Sequence, residues 1–175
     1  MLKTTDYIHC YENVLEADLC KSIIDNSQDL DFEKATTTGG TNYRKCYYNP
    51  LANKFDKDIF AAVGKVLQMY KNDHIYFNTG LTMEDTGYDH LIYIGSQGGE
   101  YKEHTDHGDL HPRVLTCSFI LNDNYDGGDF VFFGGKYKIP PKTGSAVVFP
   151  SNFCFPHAVT PVTNGDRHAV ITWIH

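Results

Sequence analysis

The chain carries His104-Thr105-Asp106, then His157, then Arg167, in that order. Two imidazoles and one carboxylate are the ligand set that leaves three adjacent positions open on a ferrous ion. Residues i and i+2 of a strand point to the same face, so His104 and Asp106 can grip one metal side by side without a special turn. His157 follows the apolar run Phe153-Cys154-Phe155-Pro156, a setting that suits a buried third ligand. A His-x-Asp also arises by chance in a chain with nine histidines, and a core histidine satisfied by a backbone carbonyl is the competing interpretation of His157. Arg167 opens the segment Arg167–Ile174, whose period-2 alternation puts Arg167, Ala169, Ile171 and Trp173 on one face. A guanidinium sharing a face with apolar side chains needs an anionic partner. A carboxylated co-substrate supplies one bidentately, and an edge arginine reaching solvent is the alternative. His107 and His111 crowd the motif. Alternation turns His107 to the opposite face, and His111 lies past the Gly108 turn. His168 falls on the face away from Arg167 and is expected at the surface.

The elements that must hold these groups are legible in part. Leu15, Leu19, Ile23 and Ile24 recur at helical spacing, which predicts a helix over 15–27 with Asn13 as its cap. Phe55, Ile59, Phe60, Val63, Val66, Leu67 and Tyr70 make one apolar stripe and predict a second helix over 53–71. Beyond residue 74 short β-branched and aromatic runs alternate with turn signals such as Asp126-Gly127-Gly128, Pro140-Pro141 and Asn164-Gly165. Strands are expected near 74–79, 90–95, 99–105, 113–121, 129–133, 136–139, 145–149, 154–160 and 167–174, a sandwich or barrel. The expected fold is therefore mainly β with N-terminal helices, a single domain over 1–175. Residues 1–73 would form a helical buttress with some strands, and residues 74–175 the β core. The Gly39-Gly40 turn, just before Tyr43, Tyr47 and Tyr48, is either a cover for a site or an ordinary surface hairpin.

Composition narrows the function classes. A hydrophobic content of 41% with 14% aromatic residues builds a packed core and argues against disorder. The formal net charge of −7 and sequence pI of about 5.6 gain nothing from counterion release at phosphates. Nucleic acid and anionic membranes are thus not expected as general partners. The one tight basic cluster is Arg44-Lys45. Five scattered cysteines without a CxxC pair resemble neither a disulfide framework nor a zinc site. With no apolar leader and no stretch of about 20 apolar residues, a soluble cytoplasmic protein is expected, with a monomer as the default.

From Tyr93 to the C-terminus the chain resembles the 2-oxoglutarate/Fe(II) dioxygenases, in the prolyl 4-hydroxylase-like branch. The matching pieces are Tyr93, Tyr101, His104-x-Asp106, Arg113 with Thr116, Gly127-Gly128-Asp129, and Gly144 with Ala146-Val147-Val148-Phe149. The closing motif His157-x-x-x-Pro161-Val162-x-x-Gly165-x-Arg167, with Trp173, is the most discriminating. The resemblance implies a double-stranded β-helix, a jelly-roll or cupin-like barrel of two facing sheets buttressed by two or three helices. It also implies Fe(II) on His104, Asp106 and His157. Arg167 would take the distal carboxylate of 2-oxoglutarate in a pocket lined by Tyr93, Thr116 and Trp173. O2 would be consumed, with ascorbate as an accessory, and a prolyl residue of a peptide or protein hydroxylated with release of succinate and CO2.

The departures are specific. The tyrosine common seven residues past the arginine that matches Arg113 is Ile120 here. Gly-Gly-Glu is Gly-Gly-Asp, the spacing from Tyr93 to His104 is long, and Arg167 stands where collagen-type enzymes have Lys. A free amino acid or other small molecule is the alternative substrate. A nucleic-acid demethylase would show Arg-x-Asn-x-Thr-x-Arg, and this chain instead reads Arg167-His168-Ala169-Val170-Ile171-Thr172-Trp173. An inactive cupin-like binding protein would lack a ligand or the arginine, and all four are present.

Overall fold

The structure, a computed structural model, describes residues 2–28, 30–37, 43–77, 83–107 and 112–175. Two antiparallel sheets face each other. The long sheet runs, in spatial order, His9–Tyr11, Ala146–Pro150, Leu115–Ile120, Asp166–Ile174, Asp89–Ile94, Tyr47–Pro50 and Glu33–Lys34. The short sheet runs Tyr137–Ile139, Phe130–Phe132, His157–Val159, Glu100–His104 and Arg44–Lys45. A two-stranded ribbon, Val162–Asn164 with Asp126–Gly127, closes one end. This is the jelly-roll arrangement that the C-terminal resemblance implies.

Helix α1 (Ala17–Asn26) and helix α2 (Asp56–Asp73) lie on the outer face of the long sheet. The buried residues of α2, namely Ile59, Ala62, Val63, Val66 and Tyr70, recur at three and four residues and meet Leu115, Cys117, Phe119, Val148, Val170 and Ile174. Asp56 and Asp58 in the first turn and Lys71 in the last complement the helix dipole. The other parity of the same strands, with Leu91, Tyr93, Ile120, Val147 and Phe149, packs against Phe130, Phe132, Ile139 and Val159 of the short sheet. Leu115–Ile120 is therefore covered on both faces and buried throughout, which is why it reads as a continuous run rather than an alternation.

Several expectations are corrected. Residues 74–79 form no strand over the part described: α2 continues to Asp73, and Ile75–Phe77 are a turn with Ile75 and Tyr76 exposed. Helix α1 starts at Ala17 from Glu16, while Asn13 sits at a φ of 54° in the preceding turn instead of capping it. Phe60 leaves the core stripe and is 66% exposed. The strand expected over 154–160 begins only at His157, and Phe153 and Cys154 are exposed. Gly39-Gly40, Gly108 and His111 lie outside the described residues.

His168 is not a surface residue. It is half-buried, and its Nδ1 lies 3.1 Å from Nε2 of His90, which is itself buried and packed edge-on by Phe32. Burial, with a smaller contribution from His168, pushes His90 down to about 3, and burial likewise lowers His168. The unfolded chain takes up a proton near 6.5 while the folded chain holds His90 neutral, so this contribution is complete above that pH and lost as pH falls towards 3. Urea midpoints measured across pH should fall steadily on acidification. His90→Gln should flatten that slope by up to about 1.4 kcal/mol per pH unit between pH ~6 and ~4. An unchanged slope would mean His90 is not the group being titrated.

Candidate metal centre

His104 ends the strand Glu100–His104 and His157 begins the strand His157–Val159, and the antiparallel pairing sets the two histidines directly opposite each other. Asp106 lies two residues beyond the strand end. His104 Nε2 stands 3.4 Å from Asp106 Oδ1 and His157 Nε2 3.5 Å from Asp106 Oδ2. The three ligand atoms lie within 4.8 Å of one another, the one such cluster among the described residues. Each imidazole has its outer nitrogen engaged: His104 Nδ1 lies 2.8 Å from the Lys102 carbonyl and His157 Nδ1 3.1 Å from the Phe155 carbonyl. A carbonyl only accepts, so each ring carries its proton on Nδ1 and turns the Nε2 lone pair inward.

The electrostatics suit a cation. Burial drives His157 down to about 4 despite the attraction of Asp106, so its ring is neutral at neutral pH. Burial opposes ionisation of Asp106, but His157 first and then His104, with a weaker contribution from Trp173, hold its carboxyl below the usual carboxylate range. The result is a buried carboxylate with inward-facing nitrogen lone pairs, which fits a divalent transition metal. His107 is exposed.

One irregularity shapes the wall. Between the pairs His157–His104 and Val159–Tyr101 the register shifts by one residue, a bulge on the strand carrying the first histidine. Tyr101 and His104, three apart, therefore share a face, and their rings stack at 3.4 Å between centroids. Phe130 stacks on His157 at 5.4 Å, and Phe149 meets the same ring edge-on at 4.7 Å. Aromatic contacts thus lock both imidazoles in place.

Beside this cluster the sheets part around a cavity of about 390 Å³, whose lining includes Tyr93, Ser118, Ile171 and Trp173 together with Arg44, Arg113 and Arg167. Arg167 is 2% exposed, and its Nε has no hydrogen-bond partner among the described residues. Its guanidinium lies over the Tyr93 ring, 5.0 Å from the centroid. The Tyr125 hydroxyl lies close by: burial raises its pKa, and Arg167 pulls the other way. Gly128, at a φ of 61°, makes room for this arginine, since a Cβ there would stand 2.9 Å from Val162 Cγ2 and 3.2 Å from Arg167 Cδ.

Thr116 departs from expectation, because it does not line the cavity. Its hydroxyl donates to Asp106 Oδ2 at 2.8 Å and lies 2.9 Å from Ser151 Oγ. Ser118, two residues on and on the same strand face, lines the cavity instead. Ile120 packs between the sheets. Arg44, read from sequence only as part of a basic cluster, and Arg113, read as a matching piece of the family resemblance without a role in the pocket, both face the cavity. Their signal was residue type: the chain's only arginines are these three.

Comparison with known proteins agrees with this geometry. The family model described as the 2OG-Fe(II) oxygenase superfamily matches residues 89–175. A PKHD-type hydroxylase of Hyphomonas neptunium is 27% identical over 175 residues, covering 93% of this chain and 75% of that one. A second, from Maricaulis maris, is 37% identical over 90 residues, covering 48% of this chain and 40% of that one. This shorter match spans less than half of the relative. A prolyl hydroxylase from Trichoplax adhaerens, solved with a hypoxia inducible factor peptide fragment, superposes with a TM-score of 0.76 at 18% identity over 97% of this chain and 84% of that one. That likeness establishes the shared fold.

The hydroxyl behind the carboxylate gives a direct test of the metal cluster. Thr116→Val removes one hydrogen bond to Asp106 without changing side-chain size. It should weaken Mn(II) or Co(II) binding by roughly 10–100-fold, with little change in far-UV circular dichroism. Wild-type affinity in this variant would show that Asp106 needs no such support.

Proposed function

We propose a reaction for a chain that belongs to the 2-oxoglutarate/Fe(II) oxygenase superfamily: hydroxylation of a prolyl residue in a peptide or protein, with 2-oxoglutarate and O2 consumed and succinate and CO2 released. One observation carries it. A His-Asp-His cluster with both Nε2 atoms turned inward shares a cavity with a buried guanidinium whose Nε has no partner among the described residues. His104, Asp106 and His157 would hold Fe(II). Bound there, iron supplies the redox chemistry that couples oxidative decarboxylation of 2-oxoglutarate to C–H hydroxylation.

The protein's own contribution is placement. Asp106 brings one negative charge to the metal, and His157 is neutral, so a dianionic co-substrate can approach without strong repulsion. Arg167 receives the distal carboxylate through charge-assisted hydrogen bonds, with Tyr93 beneath it and Tyr125 beside it. Tyr101, Phe130 and Phe149 keep water from the imidazole rings. The prolyl substrate is supported by the similarity to a prolyl hydroxylase solved with a peptide and by a matching segment of mouse prolyl 3-hydroxylase 2. The five cysteines are free thiols, which fits a reducing compartment such as the cytoplasm.

The test is succinate release with proline-containing peptides, with mass spectrometry locating one added oxygen on the product. Asp106→Ala should abolish turnover, whereas His107→Ala should keep most of it. Arg167→Ala should weaken 2-oxoglutarate binding by roughly 10–100-fold while leaving Mn(II) binding in place. Loss of activity in the His107 variant with retention in the Asp106 variant would show that the ligands are misassigned.

A further inference from the structure

All three arginines of the chain line this one cavity, and none of its twelve lysines does. The proposed reaction engages Arg167. With two neutral imidazoles, charges of +2 for the metal, −1 for Asp106, −2 for 2-oxoglutarate and +1 for Arg167 sum to zero. Arg44 and Arg113 are left over.

Both are held in place near the metal cluster. The Arg113 guanidinium lies over the Trp173 indole, its Cζ 3.7 Å from the ring centroid, with Nη1 3.4 Å from the Asp106 carbonyl. The Arg44 guanidinium lies over the Tyr101 ring at 4.7 Å, and Tyr101 in turn stacks on His104. Arg44 Nε donates to Cys46 Sγ at 2.9 Å, which anchors one edge of the group. Neither arginine forms an ion pair with a carboxylate among the described residues. Glu100, the acidic neighbour on the strand paired with Arg44, is taken by Lys45 at 3.1 Å. Asp89 acts on both guanidinia from the long sheet but comes within ion-pair distance of neither among the described residues. Burial lowers the pKa of Arg113, and Arg44 adds to that lowering. Two stacked, half-buried cations that repel each other at the mouth of a cavity form a receptor for an anion with planar oxygens.

We propose that the substrate itself brings a carboxylate to this mouth, received between Arg44 and Arg113 close to the carbon that is hydroxylated. The inference rests on the reaction proposed above and specifies its substrate. The carboxylate has two possible sources: the α-carboxylate of a free imino acid, or an acidic side chain next to the proline of a peptide.

Trp173 is the only tryptophan, so its fluorescence reports occupation of the group stacked upon it. Full-length protein loaded with Mn(II) and 2-oxoglutarate is titrated with matched pairs: a peptide with Glu beside proline against its Gln twin, and free proline against prolinamide. At low salt the acidic member of one pair should bind at least about 10-fold more tightly than its neutral twin, and the pair that discriminates identifies the source. The preference should shrink in 0.5 M NaCl. Arg44→Gln and Arg113→Gln should each reduce the ratio to within about 3-fold, while Arg44→Lys should retain most of it. Because each ratio compares two ligands on one protein, a general loss of stability does not imitate the effect. Equal binding within both pairs by the wild-type protein, or an unchanged ratio in both Gln variants, overturns the proposal. Absence of 2-oxoglutarate binding and of succinate formation would instead remove the underlying reaction.

Discussion

The site depends on the register of one strand pair. His157 and His104 are 53 residues apart in sequence and become opposite neighbours because His157–Val159 pairs antiparallel with Glu100–His104. The side-chain period of a strand is two, so a slip of one residue would turn one imidazole out of the cavity. The register is pinned from several sides. His157 is also paired with Phe132 on its other edge, the Phe133 N–H donates to the Pro156 carbonyl, and the Gly134 N–H donates to Glu103. The bulge absorbs the one residue that would otherwise put Tyr101 on the far face. The aromatic packing of the imidazoles, the convergence on Asp106 and the cavity beyond all follow from this alignment.

A second constraint is electrostatic. An ionised carboxylate is costly to bury alone, yet Asp106 is nearly inaccessible. Its oxygens meet the Thr116 hydroxyl and the two Nε2 edges, and its backbone carbonyl meets Arg113. These contacts offset only part of the desolvation, and a cation between the three ligand atoms would complete it. The arrangement that binds a metal is therefore the one that a metal stabilises in turn. The same logic explains why both Nδ1 atoms are bound to carbonyls: the tautomer is fixed before any ligand arrives.

How much of this was legible in the sequence varies with the range of the interaction. Local order was plain: the α2 stripe at three and four residues, the alternation of Arg167, Ala169, Ile171 and Trp173, and the turn glycines. The metal-ligand types could be named because a His-x-Asp spacing and a strand period are local facts. Register was not legible, since nothing near Tyr101 announces a bulge. Thr116 came only from the family resemblance, which put it in the co-substrate pocket, whereas its hydroxyl stops at Asp106 short of the cavity. The short strands Glu33–Lys34 and Arg44–Lys45 have two residues each, too few to show a period, so the edge that delivers Arg44 to the site was invisible. The strand expected after residue 74 failed for the opposite reason, because apolar and aromatic residues there end exposed in a turn.

The inner face of Leu115–Ile120 shows how a packed sandwich makes room for chemistry. Ile120, Ser118 and Thr116 share that face and stand opposite Ala169, Ile171 and Trp173. At the first pair an isoleucine and an alanine pack tightly between the sheets. At the second a serine takes up little volume, and the cavity opens. At the third a threonine supports the metal carboxylate, and a tryptophan carries Arg113. Arg167 stands two residues before Ala169 on the same strand and lines the cavity, with room for its side chain left by Gly128. The chain as a whole is acidic, so long-range attraction does not favour an anion. A low-dielectric channel holding every arginine and no lysine concentrates positive potential locally. Planar, always-charged guanidinia suit that position better than ammonium groups, which deprotonate more readily when buried. The polarity of the cavity is thus set by the choice of cation within a hydrophobic frame, and net charge plays little part in it.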